Sequence, residues 1–207
     1  RRGGVFVELL TQQLDAEHLE RRHPAVVGLG RIGDTRATPA LIDTLVNDQA
    51  LTVVTAGALA RIGDGRAFEA LLGLVGHPDA AVRQAVIAAL NSIGHPDMAS
   101  RIGPLLRDPQ PSVRESAVRI AGYFGYRECA DLLLQSCQDA DATVRRAALE
   151  HLAFLDDERV MPTLLTALDD PDPAMRAAVV QSLARLDDAA VALPLISALL
   201  DGDPWVR

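Results

Sequence analysis

Residues 59–67 read Leu59-Ala60-Arg61-Ile62-Gly63-Asp64-Gly65-Arg66-Ala67, and residues 172–178 read Asp172-Pro173-Ala174-Met175-Arg176-Ala177-Ala178. They are two parts of one pattern. Stepping back by 31 from Arg207 meets Arg176, Arg145, Arg114 and Arg83, then Thr52, and a step of 30 reaches Arg22. Eleven residues after these positions stand Gly33, Gly63, Gly94 and Gly125, then Asp156 and Asp187. Position seven of each copy is Leu29, Leu59, Leu90, Ala121, Leu152 or Leu183. Position ten is Ile32, Ile62, Ile93, Phe124, Leu155 or Leu186, always apolar, and position eight is always small or short, ending in Ala153 and Ala184. A frame kept through six copies is an internal repeat, which sets the architecture before any local reading does.

Each copy reads as two helices. Helix A carries apolar residues at offsets eight, nine and twelve from the Gly or Asp, as in Leu41, Ile42 and Leu45 or Leu195, Ile196 and Leu199, which places them on one helical face. A turn rich in Asp, Pro and Gly follows, and then helix B with the recurrent Arg near its start. The Asp four residues before that Arg (Asp48, Asp79, Asp141, Asp172, Asp203) suits an N-cap and stands acid-first at i,i+4. Gly at the end of helix B suits a left-handed cap; Asp at the last two copies suits it less well. A two-helix unit buries its apolar face only against its neighbours. The spacing therefore predicts an all-α stack of about seven 31-residue repeats, one continuous solenoid over residues 1–207.

Composition narrows the function. Twenty basic residues, all Arg, stand against 28 acidic ones, giving a net charge of −8 and arguing against bulk capture of nucleic acid. Cys129 and Cys137, eight apart in a helical pattern, lie too far apart on one helix to bridge. Two free thiols favour a reducing compartment. Arg1-Arg2-Gly3-Gly4 leads into a short amphipathic stretch rather than a secretory signal, and the longest uncharged run, Ala189 to Leu200, is shorter than a membrane span. The expectation is a cytoplasmic protein that does not enter a membrane.

Catalytic arrangements are thin. The histidines (His18, His23, His77, His95, His151) form no i,i+4 pair, none is followed by Glu, and the cysteines lack Cys-x-x-Cys spacing. Asp169, Asp170 and Asp172 lack the spacing, Gly and terminal Glu of a calcium loop. No catalytic residue, metal or cofactor is assigned.

The two stretches quoted above, and the frame from about Glu17 to Arg207, resemble HEAT repeats of the short bacterial and archaeal type first noticed in phycobilisome lyase subunits. The resemblance implies a right-handed α–α superhelix with B helices on its concave side. It also implies a structural ladder in which Asp and Arg of successive repeats bond to one another: Asp79, Arg83, Arg114, Asp141, Arg145, Asp172 and Arg176. Thr52 and Gln110 should interrupt it. Family geometry turns offsets one, two, five and nine toward the groove, which puts Arg119, Tyr123, Arg146, Glu150, Phe154, Gln181 and Arg185 there, with Trp205 two residues before the last ladder position. Aromatic and Arg residues are the usual anchors of protein interfaces. The reading is a non-enzymatic scaffold or regulatory module holding a protein or peptide in its groove. The alternatives are a bilin lyase or isomerase subunit, whose arginines would pair with propionates, and a HEAT-like nucleic-acid binder. HEAT-like di-iron hydroxylases carry His-Glu ligand pairs, which this sequence lacks.

Both ends look open. Val5-Phe6-Val7-Glu8-Leu9-Leu10 resembles an ordinary helix A without a cap, and Trp205-Val206-Arg207 stops one turn into another helix B. A piece of a longer polypeptide is expected, with self-association through the C-terminal end.

Overall fold

The computed structural model describes residues 2–207, with side chains from residue 4; Arg1 lies outside the described residues. Thirteen α-helices and no strand occur among the described residues. The odd-numbered ones are A helices: α1 (Arg2–Gln12), α3 (Thr38–Asn47), α5 (Phe68–Leu72), α7 (Met98–Leu105), α9 (Ala130–Ser136), α11 (Val160–Ala167) and α13 (Ala192–Ala198). The even-numbered ones are B helices: α2 (Leu19–Ile32), α4 (Thr52–Ile62), α6 (Ala80–Ile93), α8 (Pro111–Phe124), α10 (Ala142–His151) and α12 (Pro173–Leu183). The chain divides into two compact units, Arg1–Met98 and Ala99–Arg207. The 31-residue register runs through that division without a slip in the sequence.

Within unit 1, α2, α4 and α6 pack side by side as successive B helices, and α1 and α3 pack on α2 and α4 respectively. Within unit 2, α8, α10 and α12 repeat that arrangement, with α9 and α11 packed against them. The seam is made by position seven, where Leu29, Leu59, Leu90, Ala121, Leu152 and Leu183 are all buried. At 25 cal/mol per Å², burying each such leucine stabilises its repeat by about 1.5–3 kcal/mol. Position eight permits the close approach of neighbouring B helices where it is glycine. A Cβ on Gly30 would stand 2.8 Å from Ala58 Cα, and one on Gly122 would stand 2.5 Å from His151 Cβ. The position does not pack closely everywhere: Ala153 is half-buried and Ala184, after α12, is exposed. Position ten varies, with Ile32 exposed, Ile62 and Ile93 half-buried and Leu155 buried.

Helix ends follow the residue at position eleven. Gly33, Gly63, Gly94 and Gly125 all take φ between 60° and 70°, a region that penalises a side chain, and each N–H returns to a carbonyl of the last turn. Where Asp156 and Asp187 replace Gly, no positive φ occurs. There the helix stops early: α10 ends at His151 and passes into a 3-10 turn over Leu152–Phe154, and α12 ends at Leu183.

The A-to-B turns explain the recurrent Arg and Asp. The Arg Nη1 donates to the two carbonyls six and five residues before it: His77 and Pro78 for Arg83, Asp108 and Pro109 for Arg114, Asp139 and Ala140 for Arg145, and Asp170 and Pro171 for Arg176. The Asp four before the Arg caps helix B, as Asp79, Asp141 and Asp172 do by accepting backbone N–H groups of the first turn. A side chain committed to those N–H groups points along its own helix. For Arg114 and Arg176 the cross-repeat rung is therefore built from the Asp two residues earlier, whereas Arg22 pairs with Asp48, itself four residues before Thr52. Arg114 is bidentate to Asp139 at 2.8 Å through Nε and Nη2, and Arg176 is bidentate to Asp201 at 2.8 and 2.9 Å. This corrects the assignment of Asp141 and Asp172 as ladder partners. At Thr52 the hydroxyl donates to the Leu45 and Asp48 carbonyls in place of the guanidinium, and Gln110 leaves α8 without a side-chain cap.

Candidate functional site

Of the residues expected in the groove, the structure joins five on the B-helix side of unit 2. Arg119 on α8 donates from Nε to Glu115 Oε1 at 3.1 Å and from Nη1 to Glu150 Oε2 on α10 at 3.2 Å. Arg146 Nε stands 3.5 Å from the other Glu150 oxygen, within ion-pair distance but too poorly aligned for a hydrogen bond. Arg185, beyond α12, donates from Nη1 to the Glu150 carbonyl oxygen at 3.0 Å. Its guanidinium carbon lies 5.5 Å from the centre of the Phe154 ring, a cation–π distance. One glutamate thus organises three arginines from three consecutive repeats, and the cluster of Arg119, Arg146, Arg185, Glu115 and Glu150 keeps one net positive charge.

Phe154 is 48% and Tyr123 54% exposed. Phe154 therefore does not fill the core, as its apolar character alone would suggest. It rides on the 3-10 turn that replaces the last turn of α10. Tyr123 meets Phe124 edge-on at 5.1 Å, and Phe124 stacks in turn on Tyr126 at 5.1 Å. Burial raises the Tyr126 phenol above its ordinary pKa, so it stays neutral. Two expected members stand apart. Gln181 is exposed and no hydrogen bond or ion pair joins it to the cluster, and Trp205, 88% exposed, donates its backbone N–H to Asp203 Oδ1.

The sequence frame did not mark His151, which the structure puts at the centre of the patch. Its ring packs on Gly122 and tilts toward Phe154 at 6.2 Å, and Nδ1 donates to the Ala147 carbonyl at 3.0 Å. Burial first, and then the charges of Arg119 and Arg185, hold its pKa below the usual histidine value, so the imidazole is neutral. No periodicity rule singles out this position; the signal is Gly122, which only makes sense once a large ring is known to face it.

The acidic A-to-B turns are absorbed by structure. Asp108, Asp139, Asp170 and Asp201 each accept the N–H two residues on at 2.8 Å, and Asp139 and Asp201 also carry the rungs. The Arg114 guanidinium holds Asp139 below the usual carboxylate range, and Arg176 holds Asp201 at about 2. A recess of about 430 Å³ beside the Arg114–Asp139 rung is lined by Leu106, Asp108, Leu132, Gln135 and Ser136. No group of three His, Cys, Asp or Glu among the described residues is placed to hold a metal ion. Cys129 is buried, and burial pushes the Cys137 thiol up to about 12, so neither is poised as a nucleophile. No helix among the described residues is long and apolar enough to cross a membrane.

Known structures share this fold. A chain from a structural study of microtubule plus-end tracking by XMAP215, CLIP-170 and EB1 aligns at TM-score 0.60 and 18% identity, covering 85% of this chain and 89% of that one. The X-ray structure of YibA of E. coli aligns at TM-score 0.54 and 19% identity, covering 98% and 79%. A designed armadillo repeat protein in complex with the peptide (KR)4 aligns at TM-score 0.51 and 15% identity, covering 86% and 98%. The comparison with curated proteins returns no match. Residues 22–47 match the PBS lyase HEAT-like repeat. With HEAT repeats matched over residues 48–102, 99–169 and 131–207, well over half its length, the chain belongs to the HEAT repeat family.

Proposed function

We propose that the chain is an interaction module whose second unit holds a protein or peptide segment on its B-helix side, around Tyr123 and Phe154. The observation that carries this is the preorganised patch. The exposed Phe154 ring lies against Arg185, next to arginines already fixed by Glu115 and Glu150, and Tyr123 is exposed at the equivalent position of the preceding repeat. Arginines held in place before a partner arrives lose less side-chain entropy on binding. Aromatic and Arg side chains in such settings carry most of the energy of protein interfaces. The designed armadillo repeat protein of similar fold carries a bound peptide, which supports the use of such a stack as a peptide cradle.

A bilin lyase reading draws on the PBS lyase HEAT-like match over residues 22–47. The structure favours it less, because Glu150 already occupies Arg119 and Arg185, the groups that would meet propionates. A bilin-binding titration separates the two readings.

For a partner captured by pull-down and then purified, Tyr123→Ala and Arg185→Ala should each weaken binding by about 2 kcal/mol or more, measured by calorimetry. Glu69→Ala on α5 should leave it unchanged. Normal binding by both patch variants, with loss on substitution of the turn aspartates, would reject the patch in favour of the acidic turns.

A further inference from the structure

We infer that the segment held on the B-helix side of unit 2 is acidic: one of its carboxylates pairs with the Arg146 guanidinium, and an apolar side chain lies on Phe154. The inference rests on the interaction reading above and gives its partner a chemistry. It starts from where the charges stand. The chain carries a net charge of −8, yet no aspartate lies in any B helix. In unit 2 the B helices hold Arg114, Arg119, Arg145, Arg146 and Arg176 against Glu115 and Glu150 alone. Arg114, Arg145 and Arg176 are spent on the A-to-B turns, whose carbonyls and aspartates they bind. That leaves Arg119 and Arg146 on the open side, joined by Arg185 from beyond α12. α10 packs between α8 and α12, so the exposure of Arg146 and Phe154 is set with a repeat on either side of them.

Arg146 is the least committed of the three. Its side chain is 43% exposed, and among the described residues its guanidinium donates no hydrogen bond and meets only Glu150, at 3.5 Å. The rungs of the same unit show a satisfied arginine: Arg114 and Arg176 each hold both oxygens of an aspartate, at 2.8 and 2.9 Å. Glu150 instead divides its carboxylate between Arg119 at 3.2 Å and Arg146 at 3.5 Å. Two glutamates shared among three guanidinium groups leave a positive charge and the Nη atoms of Arg146 without an acceptor. A carboxylate from outside can take both at the short distances of a bidentate pair. Phe154 offers an apolar ring beside it, steadied by Arg185 at 5.5 Å. Arg146 and Phe154 stand eight residues apart along α10 and its closing turn. At 1.5 Å rise per residue that is about 12 Å, the span of about three or four residues of extended chain. A polyphosphate backbone suits the surface less well, since Glu115 and Glu150 stand within it and aspartates line the adjoining turns.

The test is selection of random peptides displayed on phage against the whole chain, followed by fluorescence anisotropy with synthetic copies of the selected peptides. Those peptides should carry an excess of Asp and Glu, with an apolar residue at a fixed spacing from the acid. Their binding should fall as salt is raised. It should weaken about tenfold or more in Arg146→Glu, where like charges meet, and less in Arg146→Gln. Phe154→Ala should weaken it as well. Since the Arg146 guanidinium donates no hydrogen bond, both Arg146 variants should keep the wild-type circular dichroism spectrum. Arg107→Glu makes the same charge change on the exposed turn after α7 and should leave binding unchanged. Replacing the peptide's acid by its amide should cost wild type what Arg146→Gln costs, and the two changes together should cost little more than either alone. Neutral or basic peptides that bind and are lost in Phe154→Ala would overturn the acidic assignment and leave the interaction reading standing. Independent, additive losses in that cycle would do the same. No enriched peptide, or peptides indifferent to Phe154→Ala, Tyr123→Ala and Arg146→Glu alike, would overturn both. A labelled single-stranded oligonucleotide that binds wild type and is lost in Arg146→Glu would give the surface to phosphate and overturn the proposal.

Discussion

In unit 1 every B helix closes on glycine, at Gly33, Gly63 and Gly94; in unit 2 only α8 does, at Gly125. The consequence lies in the positions nine residues after the ladder. In unit 1 these are Arg31 and Arg61 in regular helix and Ser92, whose hydroxyl donates to the Ala60 carbonyl at 2.9 Å. In unit 2 they are Tyr123, Phe154 and Arg185, the ring, ring and guanidinium of the patch. Where Asp156 replaces glycine the end of α10 is a 3-10 turn that carries Phe154, at a position exposed in every copy, regular helix or not. The Phe154 carbonyl lies where a Cβ on Gly125 would stand, so the irregular end leans on the regular one. Individual rungs differ as well. Arg114 and Arg176 of unit 2 are each bidentate to an aspartate, whereas Arg22 of unit 1 meets Asp48 by one contact at 3.2 Å and its buried Nε has no partner.

The largest effect expected from this difference is at the glycines. Gly63 and Gly125 share a positive φ, but a Cβ on Gly63 meets open space and one on Gly125 meets the Phe154 carbonyl. Gly63→Ala should cost about 1–2 kcal/mol, the price of a left-handed side chain. Gly125→Ala should cost about 2–4 kcal/mol, since overpacking adds to that strain. Urea unfolding of the two variants checks it. Equal losses would mean that the turn over Leu152–Phe154 moves aside freely and that unit 2 is no more tightly coupled than unit 1.

Much of this was legible in the sequence because the repeat averages out local ambiguity. Position seven is buried in all six copies, and the four glycines take the left-handed conformation that their place after helix B implies. What the spacing missed was choice between equivalent acids. Asp139 and Asp141 both lie near Arg145, and only the geometry shows that the second is spent on the N–H groups of Thr143 and Val144. The patch was legible as a set of offsets but not as a network. Periodicity placed Arg119 and Glu150 on one side, yet it gave no means of seeing that Glu150 binds Arg185 through its backbone carbonyl. Gln181 satisfies its offset and still makes no hydrogen bond or ion pair with the cluster, since an offset fixes a direction and not a reach.

A smaller effect should follow from the rungs. Arg114→Ala removes a two-bond charge-assisted contact to Asp139 and the clamp on the Asp108 and Pro109 carbonyls. Hydrogen bonds to charged groups of this kind contribute about 1.5–3 kcal/mol, so a loss of about 2–3 kcal/mol is expected. Arg22→Ala, with its single contact, should cost about 1 kcal/mol or less. Denaturant midpoints at equal slope measure both. A larger loss at Arg22 would reverse the ordering of the two rungs.

The smallest effect is the response to acid, and its sign follows from the carboxylates. In unit 1 Arg36 and Arg66 hold Asp34 and Asp64 at about 2; in unit 2 Arg159 and Arg176 do the same for Asp157 and Asp201, and Asp139 and Asp141 are lowered too. Each group binds its proton more weakly folded than unfolded, where its value is 3.8. Its contribution is therefore complete above that unfolded value and is lost as pH falls through the lowered folded value, about 2 for Asp34, Asp64, Asp157 and Asp201. Because unit 2 holds more lowered carboxylates, it should lose stability first on acidification. Most of these pairs are exposed, so the change should be modest and should shrink in high salt. Arg176→Gln removes the main cause of the Asp201 shift and should reduce the fall in urea midpoint between about pH 5 and pH 2.5, while lowering the midpoint at pH 5. An acid response that is identical in Arg176→Gln and wild type would show that the Asp201 rung carries no proton linkage. The Arg176–Asp201 rung would then be a matter of geometry and not of charge.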